Sequence, residues 1–402
     1  MVNSDYNVLK DWMFGKLNFL LEDLDPNPNY PILKMSLGEP TLKMPDFVRH
    51  ELSVNFNEWG KYPPSAAIPE LSNSIFKYIE RRNPGAEKII NINKNIVPVP
   101  GTREPLHLVG LLAKNTKAGE TTAIVTNPFY HAWRAGSISS GSKIHWLNAL
   151  PENQYLPNIL DIPEKILDTC VIMYLCSPSN PHGGIASLNY LKNAILLARK
   201  YDFILAIDEC YSDIYRLNKP KPVGGLDAAL SLGDNLDNLI VFNSLSKRSN
   251  ASGMRAGFIV GDEKIIDSYK LLVSNGASPV PIPIQKAAAS LYDDEDHNTK
   301  ACIHYDQNFQ IVEEYLKPFY KDFKVPGGGF FLWLKVDDDE EATKTLWNKF
   351  SLRVMPGRYM AKEVDGFNPG KGYLRIAIVD DKEVVEDAMK RVSLFLKSKL
   401  TK

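Results

Sequence analysis

The feature that most constrains this chain is the alternation, through its middle, of short apolar runs with longer segments of helical pattern. In those longer segments apolar residues recur three or four positions apart, as on one face of a helix. Alternation of this kind predicts an α/β fold in which a mostly parallel sheet is covered by helices. The strand-like runs are residues 96–99, 122–126, 143–147, 171–176, 203–207 and 239–242.

Three of the helical segments can be placed on the sequence. Ser65 can cap the first of them. A second follows Gly101, and a third covers residues 191–200. The apolar face of the first consists of Ile68, Leu71, Ile75 and Ile79, and that of the second of Leu106, Val109 and Leu112.

The last third of the chain has a different order of elements. A helix at 307–320, a strand at 330–336, another helix, a strand at 373–378 and a helix at 382–397 form an α+β pattern. We therefore expect a second, smaller domain. The predicted division is an N-terminal arm and part of the small domain at 1–50, a large domain at 51–290, and a C-terminal small domain at 291–402.

Composition excludes several classes of protein. The chain has 402 residues, 44% apolar and 24% charged, which is typical of a globular protein with more than one packed unit. Its net charge of −1, with dispersed Lys and Arg, disfavours nucleic-acid binding. Residues 1–20 lack the apolar run of a signal peptide, and no run is long enough to span a bilayer. We expect a cytoplasmic protein without a metal site, whose thiols are free: Cys170, Cys176, Cys210 and Cys302.

Candidate site residues follow the strands, because ligands of open α/β sheets bind at the carboxyl ends of the strands. Gly101-Thr102-Arg103 follows the first strand and opens a helix, where backbone N–H groups bind anions, although an ordinary turn looks the same. Asn180 lies in a turn between two prolines, and an isolated Asn-Pro is usually a surface turn.

Two further strand ends carry charged residues. Asp208 ends an apolar run, so its carboxylate needs a partner, unless it simply caps a helix. Ser244, Lys247 and Arg255 follow the next strand. The small residues around them permit close approach to a ligand, although a solvated charged loop would have a similar composition.

The order of these features resembles the class I/II aminotransferases of fold type I over essentially the whole chain. The resemblance extends to Tyr62, Tyr130 and Arg375, and to the strand that follows Gly327. In detail the chain is most similar to bacterial N-succinyldiaminopimelate aminotransferases. Four motifs carry that similarity: Gly101-Thr102-Arg103-Glu104, Asn127-Pro128-Phe129-Tyr130, Asp208-Glu209-Cys210-Tyr211-Ser212 and Ser244-Leu245-Ser246-Lys247-Arg248-Ser249-Asn250. His182 and Pro105 depart from it, since Thr and Ala are usual there.

The resemblance implies pyridoxal 5'-phosphate (PLP) as the cofactor, bound by the large domain. Lys247 would carry it as a Schiff base and then shuttle a proton. Asp208 would keep the pyridine nitrogen protonated, so that the ring accepts electrons. Tyr211 and Asn180 would hydrogen-bond the phenolic oxygen, and Tyr130 would stack on the ring.

The remaining implied roles concern the phosphate and the substrate. Gly101, Thr102, Arg103, Ser244 and Arg255 would hold the phosphate, together with Tyr62 from the partner subunit of a homodimer. Arg375 would bind the α-carboxylate in a bidentate manner. Asn180 would contribute to the substrate site and Gly38 would close over it.

The predicted reaction is amino transfer between an amino acid and a 2-oxo acid, with N-succinyl-LL-2,6-diaminopimelate and 2-oxoglutarate as the best match. Aspartate or aromatic amino acids, and a PLP-dependent C–S lyase reaction, stay open. A transcription regulator is excluded because only about sixty residues, not basic, precede the first large-domain helix. Arg134 and Arg358 are candidates for the far carboxylates of the substrate, although solvated arginines are commoner. Residues 274–283, a substrate-facing loop in the family, contain no Arg or Lys, which weakens the aspartate alternative.

Overall fold

The computed structural model describes residues 4–233 and 235–400. The first residues of the predicted N-terminal arm, which also begin the segment 1–20, and the last two residues of the predicted C-terminal domain lie outside the described residues. Within these ranges no helix is both long and apolar enough to cross a bilayer. The strands are β1 Leu33–Lys34, β2 Ile96–Val99, β3 Thr122–Asn127, β4 Lys143–Asn148, β5 Cys170–Cys176, β6 Ile204–Asp208, β7 Leu239–Ser244, β8 Gly257–Gly261, β9 Phe331–Lys335, β10 Leu352–Arg353, β11 Met355–Pro356 and β12 Tyr373–Ala377.

The α-helices surround these strands, and short 3-10 helices connect several of them. The α-helices are α1 Met13–Leu21, α2 Phe47–Val54, α3 Pro69–Arg82, α4 Arg103–Leu112, α5 His131–Ser139, α6 Glu164–Thr169, α7 Leu188–Tyr201, α8 Gly225–Ser231, α9 Leu245–Arg248, α10 Glu263–Asn275, α11 Ile282–Asp293, α12 Asp296–Leu316, α13 Asp339–Phe350 and α14 Lys382–Leu400. The 3-10 helices are Ser4–Lys10, Phe56–Gly60, Ala86–Ile89, Pro151–Asn153, Ile159–Asp161, Ser252–Met254 and Gly357–Met360.

The central sheet has seven strands in the order β2-β8-β7-β6-β5-β3-β4. Strands β3 to β7 run parallel to one another, and β8 pairs antiparallel with both β2 and β7. The predicted α/β class with a mostly parallel sheet is confirmed, and each predicted strand is present within a residue or two at its ends. The sequence prediction missed β8, which begins and ends with glycine and directly follows the charged loop.

Both faces of the central sheet are buried under helices. Alternate residues of β3 point to opposite faces, so Ile124 packs in one apolar cluster while Ala123 and Val125 pack in the other. The first cluster contains residues of α3, α7, α8 and α11, and the second contains residues of α4, α5 and α10. Coverage on both sides explains why these strands are continuous apolar runs rather than alternating ones.

The C-terminal third forms a smaller α+β unit with its own apolar cluster. Strands β11, β12 and β9 pair antiparallel, and α12, α13 and α14 pack against them. Near the N-terminus, β1 pairs in parallel with β10, and Met35 is buried in the same cluster. Residues 33–35 therefore pack with the C-terminal unit. The domain boundaries at 50 and 290 stay predictions.

Two helix boundaries differ from the sequence prediction. Helix α3 begins at Pro69, with Ile68 rather than Ser65 at the N-cap position, because the fixed backbone angle of proline suits the first position of a helix. The helix predicted at 307–320 is the second half of α12, which begins at Asp296 and ends at Leu316. Polar residues in its first half weaken the apolar pattern, although Ala301 and Tyr305 are buried there.

A network of buried polar side chains connects α3 with the segments that follow β6 and β7. The carboxylate of Asp213 accepts a hydrogen bond from the Tyr78 hydroxyl at 2.7 Å. It also pairs with Arg82 at 3.3 Å and with Arg248 at 3.6 Å. The Tyr78 hydroxyl in turn accepts from Nδ2 of Asn243 at 3.1 Å. All these side chains are buried, so the network fixes the position of Arg248, at the end of α9, relative to Asp213.

Candidate active site

Residues at the carboxyl ends of the central strands and residues from β12 line one cavity of about 390 Å³. The cavity brings together all the predicted site residues except Gly101 and Tyr62. The predicted residues that line it are Gly38, Thr102, Arg103, Tyr130, Asn180, Asp208, Tyr211, Ser244, Lys247, Arg255 and Arg375.

Lys247 lies on α9, a single helical turn that begins directly after β7. The Ser244 hydroxyl caps this turn by accepting a hydrogen bond from the backbone N–H of Ser246 at 3.1 Å. Nζ of Lys247 donates to the carbonyl oxygen of Gly38 at 2.6 Å. Burial lowers the pKa of Lys247 to about 8, and the nearby cation of Arg375 acts in the same direction. The neutral form of this amine is therefore far more abundant near neutral pH than it is for a solvated lysine.

Asp208 is the last residue of β6, and its side chain faces the same cavity. Its Oδ1 accepts a hydrogen bond from the backbone N–H of Cys210 at 3.2 Å. Burial raises the pKa of Asp208, while the charge of Lys247 opposes that increase. The adjoining Cys210 contacts the Thr102 hydroxyl, with 2.9 Å between Sγ and Oγ1. This places the opening of α4 against the end of β6.

Tyr211 is buried next to these groups. Its ring lies edge-on to the rings of Phe330 and Phe331, with centroids 5.4 and 6.0 Å away. Burial raises the pKa of Tyr211 well above its ordinary value, so the phenol stays protonated and can donate a hydrogen bond. The Tyr130 hydroxyl, also part of the lining, accepts from Nε of Arg103 at 3.2 Å.

One end of the cavity is suited to an anion. The backbone at Gly101 has a φ of 68°, and a side chain there would collide with the guanidinium of Arg255. Arg255 donates to the carbonyl oxygen of Pro100 at 3.1 Å and to the hydroxyl of Ser246 at 3.3 Å. The N-terminus of α4 and the Ser244 hydroxyl face the same end. Backbone N–H groups, hydroxyls and a guanidinium together make an anion site.

A second cation lies on the C-terminal unit. Arg375, on β12, donates to the carbonyl oxygen of Ser36 at 2.8 Å and to Oδ1 of Asn180 at 3.3 Å. Its Nε is buried and has no hydrogen-bond partner among the described residues. Burial lowers the pKa of Arg375 to about 10, yet the side chain remains a cation at neutral pH. A buried guanidinium with only neutral partners is suited to a carboxylate ligand.

Gly38 lines the cavity of its own chain, whereas Tyr62 does not. A side chain at position 38 would collide with the ring of Phe331, so only glycine permits this backbone to approach the cavity. Tyr62 lies outside the cavity and is fully exposed, with a relative exposure of 101%. Two exposed apolar side chains, Phe56 and Trp59, precede it.

Several cavity residues were not predicted from the sequence. Glu39 and Ser246 adjoin predicted residues, and their position beside Gly38 and Lys247 was the available signal. Met13 and Phe14 gave no signal, because α1 reaches the cavity through packing against distant parts of the chain. The other unpredicted lining residues are Leu37, His131, Trp133, Cys176, Cys210, Ser252, Gly253 and Phe331.

Arg358, a sequence candidate for binding substrate carboxylates, is already paired with acidic side chains of its own chain. Its guanidinium pairs with Asp338 at 3.0 Å, with Asp339 at 2.7 Å and with Glu340 at 2.6 Å. Three carboxylates already neutralise this cation, and it does not line the cavity. The suggestion that Arg358 binds substrate is therefore wrong.

Comparison with known proteins gives one consistent family. Residues 30–392 match the model of the family described as aminotransferase class I and II. An LL-diaminopimelate aminotransferase of Natranaerobius thermophilus is 26% identical over 392 residues, which cover 96% of this chain and 97% of the relative. A second LL-diaminopimelate aminotransferase, from Dehalococcoides mccartyi, is 26% identical over 372 residues, covering 90% of this chain and 91% of the relative.

Solved structures agree with this family. The crystal structure of an aminotransferase from Neisseria meningitidis Z2491 is 33% identical, has a TM-score of 0.92, and covers 98% of this chain and 100% of that one. The aminotransferase AspB of Helicobacter pylori 26695 is 28% identical with a TM-score of 0.87, and covers 96% and 98% of the two chains. This chain belongs to the class I and II aminotransferases and is a PLP-dependent enzyme of that family.

Proposed function

We propose that this aminotransferase acts on a diaminopimelate in lysine biosynthesis, with N-succinyl-LL-2,6-diaminopimelate as the amino donor, 2-oxoglutarate as the acceptor, and the cytoplasm as its location. The observation that carries the proposed site is the convergence of Lys247, Asp208 and Arg375 on one cavity. An amine of lowered pKa, a buried carboxylate and a buried guanidinium are the three groups that amino transfer on PLP requires.

The residues around the cavity fit PLP. The bound cofactor would supply a positively charged ring that accepts the electron pair left on the substrate α-carbon when that carbon loses its proton. Lys247 would hold the cofactor covalently and, once released, move the proton from the substrate α-carbon to the cofactor. Asp208 would keep the ring nitrogen protonated, since its buried carboxylate lines the cavity at the end of β6.

The other cofactor contacts are assigned from the polar groups that line the cavity. Arg255, the Ser244 hydroxyl and the backbone at Gly101, Thr102 and Arg103 would hold the phosphate at the anion end. Tyr211 and Asn180 would donate to the phenolic oxygen. Asn180 is suited to this role because its Oδ1 already accepts from Arg375, so Nδ2 is the atom of the amide that would donate. Tyr130 would pack against the ring.

Substrate would bind on the side of the cavity next to the C-terminal unit. Arg375 would hold the α-carboxylate in two parallel hydrogen bonds, which a lysine could not do. Asn180 and the Gly38 backbone would complete that site. The nearby apolar side chains of Met13, Phe14 and Leu37 offer contacts for the methylene chain of a long amino acid.

The diaminopimelate assignment is supported by the motifs near the cofactor and by the printed names of the relatives. Those names specify LL-diaminopimelate, without the succinyl group. LL-diaminopimelate is therefore a second candidate donor. Glu39, whose carboxylate lies on the cavity lining, favours it, because only the unsuccinylated donor has a free ammonium at its far end. Aspartate would need a cation close to its short side chain, and none is present in the loop between α10 and α11.

The substrate proposal predicts an order of kcat/KM for a panel of donors measured with 2-oxoglutarate. N-succinyl-LL-2,6-diaminopimelate should exceed aspartate, because specificity is a difference in transition-state binding. The kcat/KM for LL-diaminopimelate, measured in the same panel, shows whether the enzyme prefers the succinylated or the free donor. Glu39→Gln should lower kcat/KM for LL-diaminopimelate only, since the succinylated donor has no ammonium at that end. Aspartate as the best donor would refute the assignment and leave the PLP enzyme intact.

We also propose that the enzyme is a homodimer in which Tyr62 reaches the phosphate site of the partner subunit. Tyr62 is fully exposed, lies outside its own cavity, and follows exposed Phe56 and Trp59. An exposed group of large apolar side chains is typical of a surface that another protein covers. A C2 pair of subunits would bury both copies of this surface.

Mixing two inactive variants tests the shared site. A hybrid of one Tyr62→Ala subunit with one Lys247→Ala subunit has one intact site and one doubly altered site. Random exchange of subunits should therefore restore about a quarter of the wild-type sites. Recovery is measured as activity after mixing, with each variant alone as its control. A mixture no more active than its parts, or a fully active monomer in sedimentation, would contradict the proposal.

The lowered pKa of Lys247 predicts how apoenzyme takes up PLP. Only the neutral amine attacks the cofactor, so the rate of covalent attachment should rise through pH 8, the folded pKa, instead of through about 10.4, the value of a solvated lysine. Absorbance of the cofactor follows the reaction. Arg375→Gln removes one cation that lowers this pKa, so its midpoint should lie higher. Borohydride reduction should leave the cofactor on the peptide containing Lys247, and attachment elsewhere would refute the role.

The role of Asp208 predicts a defect in chemistry rather than in binding. Asp208→Ala should retain PLP, while transamination falls by several orders of magnitude, because the ring charge acts mainly in the transition state. Glu209→Gln is the matched control. Its carboxylate is also buried, with its pKa raised to about 7 chiefly by burial, but it accepts from the backbone of Gly225 outside the cavity. Turnover close to wild type in the Asp208 variant would exclude the role.

A further inference from the structure

Arg134 is a buried cation that the reaction described so far does not use. It lies on α5, one turn after Tyr130, and its side chain is 7% exposed. Its guanidinium lies over the ring of Phe129, 4.9 Å from the centroid. The sequence suggested a solvated arginine at this position as the commoner case, and the structure shows a buried one instead.

The positive charge of the Arg134 guanidinium is only partly neutralised by its carboxylate partner, Asp11. Nη2 of Arg134 donates to the backbone carbonyl of Asp11 at 3.0 Å, and Nη1 lies 3.7 Å from the Asp11 carboxylate. Its Nε is buried and has no hydrogen-bond partner among the described residues. Burial lowers the pKa of Arg134, with Asp11 opposing that change. Asp11 is itself 42% exposed and also pairs with Lys16. A buried guanidinium with one distant, shared carboxylate has capacity for a better anionic partner.

The position of Arg134 connects it to the active site. It lines a side pocket of about 30 Å³ together with Asp11 and Trp12. This pocket shares four residues with the main cavity: Met13, Tyr130, His131 and Asn180. Since Asn180 also contacts Arg375, the side pocket begins next to the proposed α-carboxylate site. It has room for about two water molecules, so a carboxylate enters only if Asp11 moves aside.

We infer that Arg134 is the receptor for the carboxylate at the far end of the amino donor, and that Asp11 occupies this receptor until the donor binds. The inference rests on the proposed function, in that it requires a long donor with a second carboxylate. On binding, the donor carboxylate takes the place of Asp11 in a bidentate pair with Arg134. Asp11 keeps Lys16 as its partner at the surface, so the exchange leaves neither carboxylate unpaired.

Tyr130 and His131 are titratable side chains that line both pockets, and of the two only His131 could add a positive charge. Burial, assisted by the cations of Arg103 and Arg134, lowers its pKa to about 4. His131 is therefore neutral in the working range of the enzyme, and Arg134 supplies the positive charge of the side pocket.

An alternative role for Arg134 is to anchor the N-terminal segment through Asp11. The two roles give opposite signs for one variant. If Arg134 is an anchor, Asp11→Asn weakens the anchor and impairs every donor. If Arg134 is a receptor, Asp11→Asn removes the competing carboxylate and improves donors that carry a second carboxylate.

The test uses two donors of equal chain length, 2-aminopimelate and 2-aminoheptanoate, which differ only in the far carboxylate. The measured quantity is the ratio of their kcat/KM values in the half-reaction, followed by cofactor absorbance. Arg134→Gln should lower the ratio by about tenfold or more, the effect expected for one charge-assisted pair. Asp11→Asn should raise it. Arg134→Lys should restore part of the ratio, because it returns the charge without the planar fork.

Arg353→Gln is the matched control for the N-terminal segment. Arg353 contacts Asn18 on α1 but lines neither pocket, so its loss should leave the ratio unchanged. An unchanged ratio in Arg134→Gln, or a lower kcat/KM for both donors in Asp11→Asn, would overturn the assignment of Arg134 as the receptor. The donor panel with wild-type enzyme separates this outcome from failure of the diaminopimelate assignment, since that panel uses no variant of Arg134 or Asp11.

Discussion

The buried carboxylate of Asp213 is the interaction on which the geometry of the cofactor side depends. It is shared by the Tyr78 hydroxyl, Arg82 and Arg248. Without it, the buried guanidinium of Arg82 would lose its carboxylate partner, and that of Arg248 would keep, of the described carboxylates, only the partly exposed Glu295, which is strongly destabilising. Because Arg248 adjoins Lys247 and Asp213 follows shortly after Asp208, one carboxylate fixes the reacting amine relative to the strand that carries the ring-binding acid.

The central sheet and most of the site could be predicted from the sequence for a physical reason. Strands buried on both faces need unbroken apolar runs, which are easily recognised, and parallel order puts their carboxyl ends at one edge. Asp208 and Lys247 could therefore be assigned to a common site from the positions where two runs end. Their convergence with Asn180 on one cavity follows from the order of neighbouring strands.

Contacts made by distant segments could not be predicted in this way. Helix α1 shows no pattern that would direct Met13 towards the cavity, and the burial of Arg134 depends on Asp11 and Phe129, which no local signal links to it. The exposure of Tyr62 has a similar cause, since its proposed partner is another chain. The cap predicted at Ser65 was wrong because Pro69, four residues later, sets the start of α3 more strongly.

The pairing of β1 with β10 has a consequence for the order in which the protein folds during synthesis. Leu33 pairs with Leu352, and the segment that follows β1 offers carbonyl oxygens to Arg375 and Lys247. The central sheet requires only residues up to β8, so it can form while the ribosome is still adding the last third. Residues 33–36, whose partners are Leu352, Arg353 and Arg375, must wait for that third before they find those partners. Closing so long a loop is slow, so the chain carries an assembled sheet before it has a complete active site.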